Sequence, residues 1–215
     1  MLHRKKGDYD KALEFLQKAL AIDLKLFEPD HPDVAITYSN IGLVHYNRGE
    51  LDKALEYFQK SLAIDLKHLG PDHPNVADTY NNISAPYYQK GELDKALEYL
   101  RKALAIRIKH LGPEHPNVAN CYNNIGTLHY QKGDYDKALE FLPKSLAIRL
   151  KTQGPDHPEV ARSYYNIGAM HFFKREHEQA IGYWEKAYAV RLKKLGPNHP
   201  DTKLVKDRLD VLKKK

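Results

Sequence analysis

Five histidines recur in one repeated phrase, and their type and spacing could support chemistry. Each precedes a proline, and the phrase at residues 70–74 reads Gly-Pro-Asp-His-Pro. A histidine beside a carboxylate could bind a metal ion or act as a general acid or base. Consecutive members are 42 residues apart. The five are His31, His73, His115, His157 and His199.

Neither a shared metal site nor a hydrolase fits this spacing. Packed helices lie about 8–10 Å apart, whereas a ligand nitrogen lies about 2 Å from zinc. Histidines one repeat apart therefore cannot share an ion, and Asp72 with His73 alone gives too few ligands. No nucleophile recurs beside the histidines, and GxSxG, P-loop and HExxH motifs do not occur in the sequence. We predict no catalytic residue, no metal site and no cofactor.

The fixed spacing is typical of a repeat array. Residues 70–111 match residues 112–153 at 27 of 42 positions without a gap. Val76, Ile83 and Tyr87 recur at helical spacing in a first run of about 16 residues, and a second run covers residues 93–111. Gly91, the usual kind of residue just past a helix, separates the runs. We call the first helix of each repeat helix A and the second helix B.

The histidine phrase is better explained as the boundary between helices. Proline is favoured in the first helical turn, and the residue before a proline is disfavoured in helical conformation. We therefore predict that Pro74 begins a helix A, that His73 is its boundary residue, and that Asp72 lies near the positive helix end.

Composition excludes several classes of function. The net charge is +6, and six terminal residues account for it, so the rest of the chain is neutral and no nucleic-acid surface is expected. There is one cysteine, no signal peptide and no run of 18 apolar residues, so we predict a cytoplasmic location and no membrane span. The six residues are Arg4, Lys5, Lys6, Lys213, Lys214 and Lys215.

The pattern within one repeat resembles the tetratricopeptide repeat. It is carried by Tyr80, Ile83, Gly91, Ala96 and Ala103. The 42-residue length, the phrase at residues 94–99 and the loop at residues 69–74 are similar to repeats of the kinesin light chain type. The resemblance implies an all-α fold, a right-handed superhelical solenoid of antiparallel helix pairs. Sustained coiled-coil heptads are absent from the sequence, so we do not assign a motor-subunit role.

The resemblance covers nearly the whole chain. We predict a single array over residues 1–215, with a partial repeat at 1–27, full repeats at 32–69, 74–111, 116–153 and 158–195, and a capping helix at 200–214. Residues 1–7 align with the end of a helix A, so the inner face of the first helix B is expected to be either exposed or covered by a partner. The capping helix keeps four apolar residues for packing: Leu204, Val205, Leu209 and Leu212.

The resemblance implies a concave groove lined by helix A that holds an extended peptide. The asparagine before the packing residue of helix A would contact the peptide main chain, since an amide both donates and accepts hydrogen bonds; a hydrogen bond between helices is the alternative. These asparagines are Asn40, Asn82, Asn124 and Asn166. Further candidates at helical spacing are Asn81, Asn123, Tyr88 and Tyr130. Tyr165, Phe172 and Phe173 make the last repeat more aromatic.

A variable position in helix B changes charge along the chain. It holds Asp23, Asp65, Arg107, Arg149 and Arg191. The resemblance implies that arginine here reaches the groove and meets acidic groups of the peptide, with Asp65 repelling them. The alternative is a solvated helix face.

Other residues depart from the repeat. Pro86 and Pro143 fall inside predicted helices, and Arg175 replaces the glycine of the last turn, which indicates a strained or altered turn. His45, His129 and His171 share a position with Tyr87, and this interchange favours packing. Trp184 is expected in the core.

We therefore predict a protein–protein interaction scaffold without enzymatic activity, which binds an extended, acidic peptide or a partner domain. Two alternatives stay open. The repeats could belong to a larger signalling or transport protein, or the chain could self-associate through its N-terminal partial repeat.

Overall fold

The computed structural model describes residues 6–213, and its side chains from residue 8 onward. Arg4, Lys5, Lys214 and Lys215 lie outside the described residues. No described helix is long and apolar enough to cross a bilayer. The described helices are α1 (Lys6–Leu26), α2 (Pro32–Asn47), α3 (Leu51–Leu69), α4 (Pro74–Gln89), α5 (Leu93–Leu111), α6 (Pro116–Gln131), α7 (Tyr135–Gln153), α8 (Pro158–Phe173), α9 (His177–Leu195) and α10 (Pro200–Lys213).

The chain is all-α and forms two compact units, residues 1–110 and 111–215. In unit 1, α2 packs on α3 and α3 packs on α4. In unit 2, the pairs α6–α7 and α8–α9 have the most extensive contacts, and α10 packs on α9. The helices α2, α4, α6 and α8 are the predicted helices A, and each is 16 residues long.

The repeated histidines cap helices, which confirms the boundary interpretation. In each helix A the histidine is the N-cap and the proline follows it at the first helical position. The His73 Nδ1 atom accepts a hydrogen bond of 3.2 Å from the Asn75 backbone N–H, and His115 accepts one of 3.1 Å from Asn117. Sequence reasoning found the boundary but missed that the ring nitrogen satisfies one of the free N–H groups of the first turn.

The acid of the same phrase has a partner that sequence reasoning did not identify. In each of the four loops that carry an acid, this acid forms an ion pair with a lysine 37 residues later, near the end of the following helix B. Both side chains are solvent-accessible, so each pair contributes at most about 1 kcal/mol. The pairs are Asp30–Lys67, Asp72–Lys109, Glu114–Lys151 and Asp156–Lys193.

Within each pair of helices, small residues allow close packing. Ala96 and Ala103 of α5 are fully buried, as expected. Gly126 in α6 and Gly168 in α8 also lie at the contact. A Cβ atom on Gly126 would lie 2.7 Å from the Leu142 Cγ atom, and one on Gly168 would lie 2.5 Å from Trp184 Cδ1. Trp184 is 2% exposed, which confirms its place in the core.

The histidine position shared with Tyr87 packs against aromatic rings, as predicted. Tyr87 stacks on Tyr99 with ring centres 5.7 Å apart. His45 stacks on Tyr57 at 5.4 Å, and its Nδ1 atom lies 2.7 Å from the Glu50 carboxylate. His129 stacks on Phe141 and His171 on Tyr183 in the same way.

The residues that depart from the repeat do not interrupt the helices or change the turn. Helix α4 continues through Pro86, and helix α7 continues through Pro143. Arg175 has a φ of 64°, in the left-handed region where Gly49, Gly91 and Gly133 lie at the other turns. The turn therefore keeps its shape and Arg175 carries the strain, because a Cβ atom disfavours this conformation.

Helix α10 packs as the predicted cap, with one correction. Val205, Leu209 and Leu212 are buried, but Leu204 is 42% exposed, so the prediction that Leu204 packs was wrong. A period of 3.6 residues places Thr202 with the buried set and rotates Leu204 away from it. Thr202 is 1% exposed.

Candidate functional site

The helix A faces of both units contain recesses that bring several predicted residues together. In unit 1, Asn40 of α2 and Asn82 of α4 share a depression of about 160 Å³ with Asp65 of α3. Ser39, Asp78 and Thr79 complete most of its wall. We call this depression the unit 1 recess.

The unit 1 recess is polar and has acidic side chains in its floor and wall. Asp65 is 7% exposed, and burial raises its pKa above the ordinary value, although a hydrogen bond from the Thr79 hydroxyl opposes the shift. Asp78 pairs with the guanidinium of Arg107 at 2.7 Å. Arg107 therefore reaches the wall of this recess, where an internal carboxylate neutralises it.

Arg149, in unit 2, is more deeply enclosed than Arg107. It is 2% exposed and donates hydrogen bonds of 2.8 Å to the Ser163 hydroxyl and 3.2 Å to the Asn120 side chain. Its guanidinium also lies 3.3 Å from the Glu159 carboxylate. Burial lowers the pKa of Arg149. A ligand would have to compete with three internal partners for this group.

The largely aromatic recess of unit 2 lies between α6, α8 and α10. Tyr130 and Asn166, both predicted site residues, line a depression of about 220 Å³ together with Phe172, Phe173 and Arg208. Met170, Leu142 and Trp184 contribute apolar surface. We call this depression the unit 2 recess.

Aromatic contacts hold the wall of the unit 2 recess in place. The ring of Phe173 lies 5.6 Å from that of Tyr130, and Phe172 lies 5.6 Å from Trp184. The indole N–H of Trp184 donates a hydrogen bond of 3.1 Å to the Tyr165 carbonyl. Side chains that stack on one another lose little further freedom when a ligand binds, so the recess is preorganised.

Asn166 and Arg208 are two of the polar side chains that line this largely aromatic recess. Asn166 is half-buried and offers an amide donor and acceptor. Arg208 of α10 is exposed and forms no ion pair within residues 6–213. Arg208 was not predicted from the sequence as a site residue. Its alignment with the helix A asparagines was the available signal that it faces the same side.

The other predicted residues lie outside both recesses. Asn124 is exposed, Tyr88 is 37% exposed, and Asn81 and Asn123 are half-buried. The side-chain oxygen of Asn123 is buried without a hydrogen-bond partner in the described part of the chain. The backbone carbonyl of Asn123 accepts a bond of 2.9 Å from the Thr127 hydroxyl.

Comparison with known proteins agrees with this architecture. A tetratricopeptide repeat family model matches residues 1–67, 33–109, 87–151 and 127–193. No curated protein sequence matches the chain. The crystal structure of BtubC (BKLC) from P. vanneervenii is similar with a TM-score of 0.82 and 27% identity, over 93% of this chain and 79% of that one.

A kinesin light chain-type protein of Podosopora anserina, with nearly identical TPR-like repeats, has a TM-score of 0.75 and 24% identity, over 87% of this chain and 89% of that one. MamA has a TM-score of 0.65 and 23% identity, over 89% of this chain and 94% of that one. At these identities the last two show the fold alone. The matched repeats cover most of the sequence, and the chain belongs to the tetratricopeptide repeat family.

Proposed function

We propose that this chain is a scaffold that holds an extended segment of a partner protein against its helix A faces. Repeats of this family generally mediate protein–protein interaction. The observation that carries the proposal is the unit 2 recess, where Tyr130 and Asn166 share one depression with Phe172 and Phe173.

The chemistry of the unit 2 recess favours a large apolar side chain as the anchor of the segment. Aromatic walls bury such a side chain with offset or edge-on ring contacts, each worth about 0.5–1.5 kcal/mol beyond the area buried. The Asn166 amide suits a main-chain group of the segment. The Arg208 guanidinium suits an acidic residue beside the anchor, which supports an acidic peptide as the ligand.

The unit 1 recess is polar, and its chemistry favours main-chain groups of an extended segment over acidic side chains. Asn40 and Asn82 offer amides for main-chain hydrogen bonds, while Asp65 and Asp78 disfavour acidic groups there. The acidic residues of a ligand are therefore proposed to bind in unit 2.

Fluorescence anisotropy with labelled extended peptides tests this function. The library includes peptides with a tryptophan flanked by acids, and the same peptides with the acids changed to glutamine. Asn166→Ala and Arg208→Glu are each expected to weaken binding of the acidic peptides by about tenfold or more, the effect of one lost charge-assisted or buried hydrogen bond. The control is Lys206→Glu, an exposed change on the same helix. The absence of binding by every peptide, or loss in the control alone, contradicts the proposal.

Self-association through α1 is a second candidate function. Phe15 is 68% exposed and Ile22 is 56% exposed, whereas Ile64, at the register of Ile22 one repeat later, is 6% exposed. Two such faces could bury each other. A molecular mass in light scattering that stays monomeric at all concentrations would exclude this function. A role within a larger signalling or transport protein, a cytoplasmic location and the absence of nucleic-acid binding remain predictions.

A further inference from the structure

The three arginines at the variable position of helix B do not share the same internal partners. The side chain 29 residues earlier, in helix A of the same repeat, changes from acid to amide to base. The pairs are Arg107 with Asp78, Arg149 with Asn120, and Arg191 with Arg162.

The two earlier arginines are satisfied by these partners. Arg107 donates to the Asp78 carboxylate at 2.7 Å, and Arg149 donates to the Asn120 amide oxygen at 3.2 Å. Arg149 also donates to Ser163 in the next helix A. The last repeat has neither acceptor, because a guanidinium such as that of Arg162 has donors only, and Val205 stands at the register of Ser163.

Arg191 is therefore a buried cation with unused donors. It is 9% exposed, and its guanidinium donates one hydrogen bond, of 3.0 Å, to the Asp201 carbonyl. Its other contact is with the ring of Tyr165, whose centre lies 5.0 Å away. Within residues 6–213 it forms no ion pair, although a guanidinium carries five N–H donors.

Arg191 lines a pocket of about 240 Å³ with Arg162 and Lys194, between α8, α9 and the start of α10. Two acids also line it. Glu159 is already shared, because it pairs with Arg162 and lies 3.3 Å from Arg149. The Asp201 carboxylate lies 4.0 Å from the His199 ring.

Positive charge exceeds negative charge around this pocket. Arg162, Arg191 and Lys194 line it, against the two acids Glu159 and Asp201. Burial lowers the pKa of Arg191, and the charge of the nearby Asp201 carboxylate opposes this shift only in part.

We propose that this pocket, the Arg191 pocket, binds an oxyanion carried by the partner segment: the carboxylate of an acidic side chain or a phosphoryl group. A guanidinium fork donates two parallel hydrogen bonds to either group. That the oxyanion belongs to a partner segment rests on the proposed function, whereas the anion site itself does not.

The anion site is tested first without any peptide. The Nε–H signals of the arginines are followed by NMR while inorganic phosphate is added at constant ionic strength. Saturable shifts of Arg191 and Arg162 are expected, with little change at Arg149, the internally paired control. Shifts of Arg191 no larger than those of Arg149 overturn the proposal.

The variant Arg162→Asp restores the acid that Asp78 provides two repeats earlier. It should pair with Arg191, abolish the phosphate-dependent shifts, and leave the melting temperature equal to or above that of the unaltered protein. Arg162→Asn, which copies Asn120, is the second variant and should act in the same direction. Lys206→Asp changes the charge equally on an exposed surface and should retain the shifts. Retained shifts in both Arg162 variants contradict the proposal.

Peptide binding then identifies the source of the oxyanion. The tightest acidic peptide of the anisotropy library is compared with versions carrying glutamine or phosphoserine in place of its acids. Arg162→Asp should weaken the acidic and phosphorylated forms by about tenfold or more and leave the glutamine form nearly unchanged. Equal affinity of these forms in the variant and the unaltered protein refutes the partner segment as the carrier of the oxyanion but not the scaffold. Phosphate shifts without peptide binding refute the scaffold but not the pocket.

Discussion

The carboxylate of Asp65 in α3 accepts a hydrogen bond of 3.0 Å from the hydroxyl of Thr79 in α4, and both residues are buried. Asp23 and Thr37 form the same contact one repeat earlier at 2.7 Å. In unit 2 the register is filled by Arg149, which donates to Ser163. At these three contacts, helix B bonds to the next helix A through one side-chain pair, and the helix B residue is acidic in unit 1 and basic in unit 2.

Asp65→Asn is expected to stabilise the protein at neutral pH. Burial raises the pKa of Asp65 above the ordinary value of 3.8 that the unfolded chain retains. The folded state therefore binds more protons between these two values, and Asp65 reduces stability as the pH rises through its folded pKa. Asparagine can still accept the bond from Thr79 without the buried charge.

Urea denaturation between pH 4 and pH 7 measures this effect. The gain in unfolding free energy of Asp65→Asn over the unaltered protein should be largest at pH 7 and should shrink toward pH 4. The exposed change Asp207→Asn is the control and should show no such trend. A loss of stability at pH 7 in Asp65→Asn would mean that the charged carboxylate is favoured by its surroundings.

Gly126→Ala and Gly182→Ala should change stability in opposite directions. A Cβ atom on Gly126 meets the Leu142 Cγ atom at 2.7 Å, so overpacking should cost about 1–3 kcal/mol. A Cβ atom on Gly182 in α9 meets nothing within 4 Å, so alanine should add up to about 1 kcal/mol through helix propensity. Chemical denaturation of both variants decides this, and equal effects of the two changes would contradict close packing at Gly126.

Arg175→Gly should stabilise the turn between α8 and α9. Arg175 has a φ of 64°, and a left-handed conformation costs a residue with a Cβ atom about 1–2 kcal/mol. Part of this gain is offset by the greater freedom of glycine in the unfolded chain, so about 1 kcal/mol is expected. The reciprocal change Gly133→Arg should lower the melting temperature. A stable Gly133→Arg variant would show that the turns tolerate side chains.

His115→Ala should destabilise the protein by about 1 kcal/mol, because it removes the N-cap acceptor of α6. His115→Ser supplies a hydroxyl acceptor and should equal or exceed the stability of the unaltered protein. His110→Ala, near the end of α5, is the matched control. Equal melting temperatures for the alanine and serine variants would show that the ring nitrogen contributes nothing as a cap.

Helix boundaries and packing could be predicted from the sequence because the same signals recur in every repeat. The prolines after the capping histidines, the turn glycines and the stacking position of Tyr87 all follow from local rules that one repeat is enough to reveal. Leu204 was predicted wrongly because an apolar residue was assumed to be a core residue. The periodicity of α10 places the polar Thr202 in the core instead.

The charges of the site were harder to predict because they depend on contacts between helices. The sequence shows that Arg107, Arg149 and Arg191 share a register, but not which neighbours neutralise each of them. Arg149 was predicted to meet a ligand, and it lies among internal acceptors. Arg191, which shares this position, lacks those acceptors. A comparison of residues 29 positions earlier would have revealed this difference.

The most direct test of the binding surface is an NMR titration with the tightest library peptide. The side-chain amide signals of the helix A asparagines are compared with that of Asn47, which lies at the end of α2. We expect a saturable shift of the Asn166 amide together with the Arg208 Nε–H, and no shift of Asn47. Saturable binding that leaves Asn166 and Arg208 unchanged would contradict the unit 2 recess as the working site.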